Sequence, residues 1–167
     1  MPVFSSNFRH AERGAVTGAV AAILVITAIA ASATYFFYCP CDRTPGVWLS
    51  GDEVTEPVSD WSFANDVPLC QIEVQALLPH SVNLNCMSSN GQLYLSCSGC
   101  EGKYWSTAAL ANPHGRIRID NLVYPVTLTR VEDPSTLDDA WTARITKLGR
   151  GQATRPDHWW SFQLTSR

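Results

Sequence analysis

From Gly14 through Cys41 the chain carries no charged residue, and Ala15 to Tyr38 reads AVTGAVAAILVITAIAASATYFFY. No other feature restricts the fold as much. At about 1.5 Å per residue, a helix over 14–38 crosses a hydrocarbon core of about 30 Å. A cleaved secretory signal is the alternative, because Arg9 and Arg13 precede the run and Ala31-Ser32-Ala33 lies near its end. The run is longer than an ordinary signal core of about 7–15 residues, which favours a retained anchor. A lipoprotein anchor at Cys39 conflicts with the bulky Tyr35-Phe36-Phe37-Tyr38 before it.

Arg9 and Arg13 against Glu12 predict a cytoplasmic tail over 1–13, and hence a domain on the extracytoplasmic, periplasm-like side. The aromatic cluster Tyr35 to Tyr38 suits the headgroup boundary at the outer end of the span. All six cysteines, Cys39, Cys41, Cys70, Cys86, Cys97 and Cys100, follow the apolar run, which matches a compartment where disulfides persist. Their spacing does not choose among connectivities. With 16% charged residues and a net charge of −3, nothing suggests a nucleic-acid partner.

Residues 39–66 are rich in Pro, Gly, Asp and Ser and read as an extended lead, held to the domain by Trp48, Trp61 and Phe63. The domain itself is expected over 67–167. Strand signals fall at 69–78, where Ile72, Val74 and Ala76 alternate with polar residues, and at 81–89 and 92–97 around Asn90-Gly91. Asn-Gly suits a two-residue type I′ turn, because both positions need positive φ. That register sets Cys86 opposite Leu95 and Leu84 opposite Cys97, so Cys86 and Cys97 do not face one another.

A short helix is expected at 102–113, then strands at 116–120 and 123–131 joined by Asn121-Leu122, with Pro125 marking an edge or bulge. A second helix fits 134–149, with Ser135 or Thr136 as its cap, and 158–166 supplies a last strand.

This order, with GQLYLSCSGCEGKYWSTAALANPHGRIRIDNLVYPVTLTRVED at its centre, resembles the FMN-binding split β-barrel family of pyridoxamine-phosphate-oxidase-like flavoproteins. The resemblance spans about residues 69–167. It implies a mainly β (α+β) split-barrel-like domain behind a single N-terminal transmembrane α-helix. It also implies that a flavin phosphate would be held near the end of the Leu-Tyr strand and the start of the following helix, at Ser96, Ser98 and Lys103. The strands 81–89 and 92–97 carry no Arg or Lys, so Lys103 is the one cation in that set. Split-barrel proteins often dimerise around the flavin, so a homodimer is open.

Cys39-x-Cys41 and Cys97-x-x-Cys100 could together ligate a metal through four thiolates, but structural disulfides are the expected use. A redox CxxC normally opens a helix in a βαβ unit, whereas this one follows a strand. Cys70 and Cys86 read as buried small residues or halves of a bridge between strands, with Cys100 or a lead cysteine as partner for Cys86. His10, His80, His114 and His158 share no metal-ligand spacing. No phosphate-loop, dinucleotide or serine-hydrolase signature is present.

Gly14, Gly18 and Ala22 recur every four residues, so one side of the span could pack closely on another helix. The leading expectation is therefore a non-catalytic accessory or assembly subunit of a membrane protein complex, without cofactor, in contact with lipid and other transmembrane subunits. A membrane-tethered flavin protein binding FMN is the alternative, and a Cys-ligated metal module the second.

Overall fold

The computed structural model describes residues 7–38 and 44–167. They form two compact units that divide after Phe36. The first is helix α1 (Asn7–Tyr38), which starts seven residues before the expected span. Within it Val16–Tyr35, twenty residues, is exposed throughout and is long and apolar enough to cross a membrane. Gly18 and Ala22 are exposed on it, and a Cβ added at Gly18 would meet open space.

The second unit is a closed barrel. Its strands are β1 (Asp52–Glu53), β2 (Cys70–Val74), β3 (His80–Ser89), β4 (Gln92–Ser98), β5 (His114–Ile119), β6 (Leu122–Arg130) and β7 (Trp159–Ser166). Helix α2 (Tyr104–Ala111) follows β4, and α3 (Pro134–Lys147) links β6 to β7. The sheet order is β1-β6-β5-β2-β3-β4-β7, and additional β6–β7 pairing closes six strands into a ring. Inside it Ile72, Val74, Leu93, Leu95, Ile117, Val126, Phe162 and Leu164 are buried, with Trp61 and Trp105 in the same core. Removing this apolar surface from water, at about 25 cal/mol per Å2, is the main force holding the barrel.

The β3–β4 hairpin has the expected register, with Cys86 opposite Leu95 and Ser89 opposite Gln92. Its turn sits at φ 50° for Asn90 and 77° for Gly91, as a type I′ turn needs. Four local expectations change. Strand β2 stops at Val74, so Ala76, Leu77 and Leu78 lie in a loop and gain no sheet partner. The β5–β6 turn is Asp120-Asn121, because Ile119 pairs with Leu122.

Pro125 is on a strand with neighbours on both sides; it stands where the second neighbour of β6 changes from β1 to β7, so no partner requires its missing N–H. Helix α3 is capped by Asp133, whose Oδ2 accepts from Thr136 N at 2.8 Å. The hydroxyls of Ser135 and Thr136 turn back onto the same carboxylate, and so neither is the cap.

Lead residues from Thr44 onward belong to the barrel unit. Gly46 forms an antiparallel bridge with Ser81, and Asp52–Glu53 runs parallel to Leu122–Val123. Gly51 permits that approach, since a Cβ there would stand 2.5 Å from Asn121 O. Trp61 is buried against Tyr124 at 5.2 Å, whereas Trp48 remains exposed.

Candidate functional site

Two disulfides lie in the barrel. Cys70 and Cys86 bridge β2 to β3, and Cys97 and Cys100 bond each other where β4 gives way to α2. Cys86 therefore bridges strands as expected, but its partner is Cys70 rather than Cys100 or a lead cysteine. Bonded together, Cys97 and Cys100 present no thiolate to a metal, and Cys39 and Cys41 lie outside the described residues. Among the described residues no group of three or more His, Cys, Asp or Glu is placed to hold a metal ion.

Beyond Cys100 the chain turns through Gly102 at φ 72° into Lys103, the residue before α2. Lys103 Nζ donates to the Ser98 carbonyl at 3.2 Å, and Ser106 Oγ lies against the carbonyls of Cys100 and Lys103. A cleft of about 260 Å3 opens here, lined by Thr44, Pro45, Val82, Asn83, Leu84, Lys103 and Trp105.

Of the three residues expected around a phosphate, only Lys103 lines this cleft. Ser98 is exposed and touches the lysine through its backbone. Ser96 is 1% exposed with its Oγ unpartnered, and it pairs with Ser161 on the far flank of β4. Next to the cleft, His80 packs edge-on against Tyr104 at 4.8 Å, and burial lowers its pKa below the ordinary imidazole value.

Two arginines of β5 face the lead away from this cleft. Arg116 donates from Nε to Glu73 Oε1 at 3.0 Å and from Nη2 to Oε2 at 2.6 Å, and Arg118 Nη1 donates to Ser50 O at 2.8 Å.

A second cleft, about 320 Å3, lies between α3 and β3 and includes Asn65, Ser88, Asp139, Thr142 and Lys147 among its walls. Lys147 Nζ donates to the carbonyls of Ala64 at 2.7 Å and Cys86 at 2.6 Å. Desolvation lowers its pKa to about 8. Asn65 and Ser88 exchange hydrogen bonds beside it, Nδ2 to Ser88 O at 3.1 Å and Ser88 N to Oδ1 at 2.8 Å. Sequence reading gave Lys147 no role. It lies in the last turn of a helix, where a lysine is ordinary, and only the fold brings Ala64 and Cys86 to it.

No protein-family model and no curated protein matches this sequence. Solved structures do. A candidate 5-nitroimidazole antibiotic resistance protein from Bacteroides thetaiotaomicron superposes with a TM-score of 0.53 at 13% identity, over 66% of this chain and 82% of that one. A candidate pyridoxamine 5′-phosphate oxidase from Listeria innocua gives 0.51 at 15% identity, over 62% and 87%. The barrel has the split-barrel fold of pyridoxamine-phosphate-oxidase-like proteins. A conserved hypothetical protein from Mycobacterium tuberculosis has it too, with a TM-score of 0.51 at 10% identity over 70% and 86% of the two chains. In this split barrel the Lys103 cleft lies at the start of the helix after the Leu-Tyr strand.

Flavin mononucleotide would bring a dianionic phosphate and a flat ring system. The cleft provides one ammonium, the polar side chains of Asn83 and Thr44, and an apolar wall of Val82, Leu84 and Trp105. Its volume is just below the usual range of about 300–1,000 Å3 for ligand pockets, so it has room for only part of such a molecule. The donor set fits a single anionic group beside an apolar surface.

Proposed function

We propose that this chain is a membrane-tethered, extracytoplasmic split-barrel protein that binds a phosphate-bearing, flavin-type ligand at the Lys103 cleft. The position of that cleft supports the reading: a cation and an apolar wall meet at the start of α2, the place where the resemblance to split-barrel flavoproteins leads one to expect a phosphate. Lys103 would neutralise part of the phosphate charge, Asn83 and Thr44 would orient it, and Val82, Leu84 and Trp105 would exclude water from the adjoining ring. The bound flavin would itself supply electron transfer. Arg9 and Arg13 on the N-terminal side of the span favour the orientation with the barrel outside, and the barrel's disulfides suit an oxidising compartment.

One observation favours a second reading, a non-catalytic accessory subunit of a membrane complex. Thr44 and Pro45 of the lead form part of the cleft wall, and Arg116 and Arg118 are held on the lead, so among the described residues lining the cleft Lys103 has no arginine beside it. An absorption spectrum of the full chain purified in mild detergent separates the two. Stoichiometric flavin bands support the first reading. A colourless protein that takes up no added FMN and travels with larger membrane subunits overturns it in favour of the second. Metal analysis of the same sample tests the Cys-ligated alternative.

A further inference from the structure

The loop between β2 and β3 ends in two adjacent leucines that the fold leaves in solvent. Leu77 is 96% exposed and Leu78 61%, and the stretch Gln75-Ala76-Leu77-Leu78-Pro79 holds no charged residue. One exposed leucine is ordinary, but two at a loop tip beside other bare apolar groups are not. Val74 pairs with both His80 and Gly115, so the loop leaves the sheet next to the C-terminal end of α2. Leu110 is more than half exposed there. At the loop's base His80 rests on Tyr104, which is also more than half exposed. Leu77, Leu78, Tyr104 and Leu110 are thus exposed apolar side chains on the two segments, the β2–β3 loop and α2, that meet at this end of the barrel.

The polypeptide itself indicates what covers these side chains. Ser81, next to His80, is bridged to Gly46, so the chain arriving from the apolar helix joins the barrel at the base of the β2–β3 loop. Only residues 39–45 separate the end of α1 from that bridge. At about 3.5 Å per residue their contour is at most roughly 28 Å, close to one hydrocarbon thickness. An apolar loop with a tyrosine at its border, on so short a tether, is suited to the headgroup boundary.

We infer that Leu77 and Leu78, with the exposed Tyr104 and Leu110 of α2, form a second membrane contact that inserts into the lipid surface. This rests on α1 spanning a membrane and is independent of any ligand in the Lys103 cleft.

The test uses the full chain in nanodiscs of phosphatidylcholine and phosphatidylglycerol. Leu77→Cys carries an environment-sensitive fluorophore, Thr154→Cys serves as a distant exposed control, and the signal of the unsubstituted chain is subtracted. Both positions are exposed, so neither change disturbs the core. Doxyl-labelled lipid should quench the probe at 77 roughly twofold and leave the probe at 154 unchanged, as shallow insertion requires. Equal, weak quenching at both positions in loaded nanodiscs would overturn the lipid contact while leaving the anchor intact. Failure of the chain to enter nanodiscs at all would remove the anchor and the contact together. Shielding of position 77 in native membranes but not in pure lipid would assign these side chains to a protein partner instead.

Discussion

Arg116 grips Glu73 at two points, Nε to Oε1 at 3.0 Å and Nη2 to Oε2 at 2.6 Å, with Glu73 only 1% exposed. The same carboxylate accepts from Leu49 N at 2.6 Å, and the same guanidinium donates to Leu49 O at 3.2 Å. One buried ion pair therefore fixes the lead to the sheet. Arg116→Met should leave that carboxylate without its counter-charge and cost about 3 kcal/mol, the usual result of removing one partner from a buried pair. Denaturant titration of the full chain in detergent measures the loss. Proteolysis near Ser50 should accelerate in parallel, and Arg116→Lys should rescue only part of it because an ammonium cannot make the two-point contact.

Lys147 makes alkaline stability informative. Its pKa falls from 10.5 to about 8 on folding, so between those values the unfolded chain binds more protons and stability rises with pH. Tyr94 and Tyr124, whose pKa values are raised by burial, work in the opposite direction at higher pH. Comparison with Lys147→Met isolates the lysine: the variant's stability should climb less steeply between about pH 8 and 10.5. Parallel curves would show that the ammonium is no more strained in the fold than in water.

Asp133 governs the acid side. Its carboxylate takes hydrogen bonds from Ser135 Oγ, Thr136 N and Thr136 Oγ1, which hold its pKa at about 2. The contribution is present above the unfolded value near 3.8 and is lost as pH falls towards 2. Thermal melts of Asp133→Asn should retain the cap and lose this pH dependence, whereas Asp133→Ala should lower the melting temperature at neutral pH as well.

The two disulfides should differ in weight. Cys70 and Cys86 close a loop of 16 residues, and replacing both with alanine should cost about 3 kcal/mol on the chain-entropy estimate. Cys97 and Cys100 are three apart, so replacing that pair should cost less in the same denaturant titration. An equal loss for both pairs would mean that packing outweighs loop closure.

Lys103→Met tests the cleft directly. Losing one charge-assisted contact of about 1.4 kcal/mol should weaken FMN binding about tenfold. Lys147→Met, in the other cleft, should leave FMN binding unchanged. If Lys103→Met binds FMN as tightly as the unsubstituted chain, the phosphate is not held there.

Most strands and both helices of the barrel were legible because their signals are local. Asn90-Gly91 specifies its own turn, Asn112-Pro113 ends α2, and the resemblance supplied the order of elements. The site was less legible because it depends on distant segments. Ser96, Ser98 and Lys103 are close in sequence, yet β4's alternation sends Ser96 to a buried flank while Lys103 meets Val82 and Asn83 from another strand. The partner of Cys70 is equally non-local, since Cys70 reaches Cys86 only through the β2–β3 pairing that sets Cys70 opposite Leu84. Leu77 and Leu78 read as strand residues because they are apolar; sheet pairing ends at Val74, and the segment that follows turns away.

The closure of β6 onto β7 has a consequence for crowding. A protein confined to a surface meets its own copies far more often than one diffusing in bulk, and open sheets polymerise by adding strands edge to edge. Here Val126 to Arg130 are paired with Phe162 to Ser166, and Asp52–Glu53 shield the start of β6. If α1 holds the barrel at a bilayer, copies gathered in one patch would find no long strand border among the described residues to template a fibre.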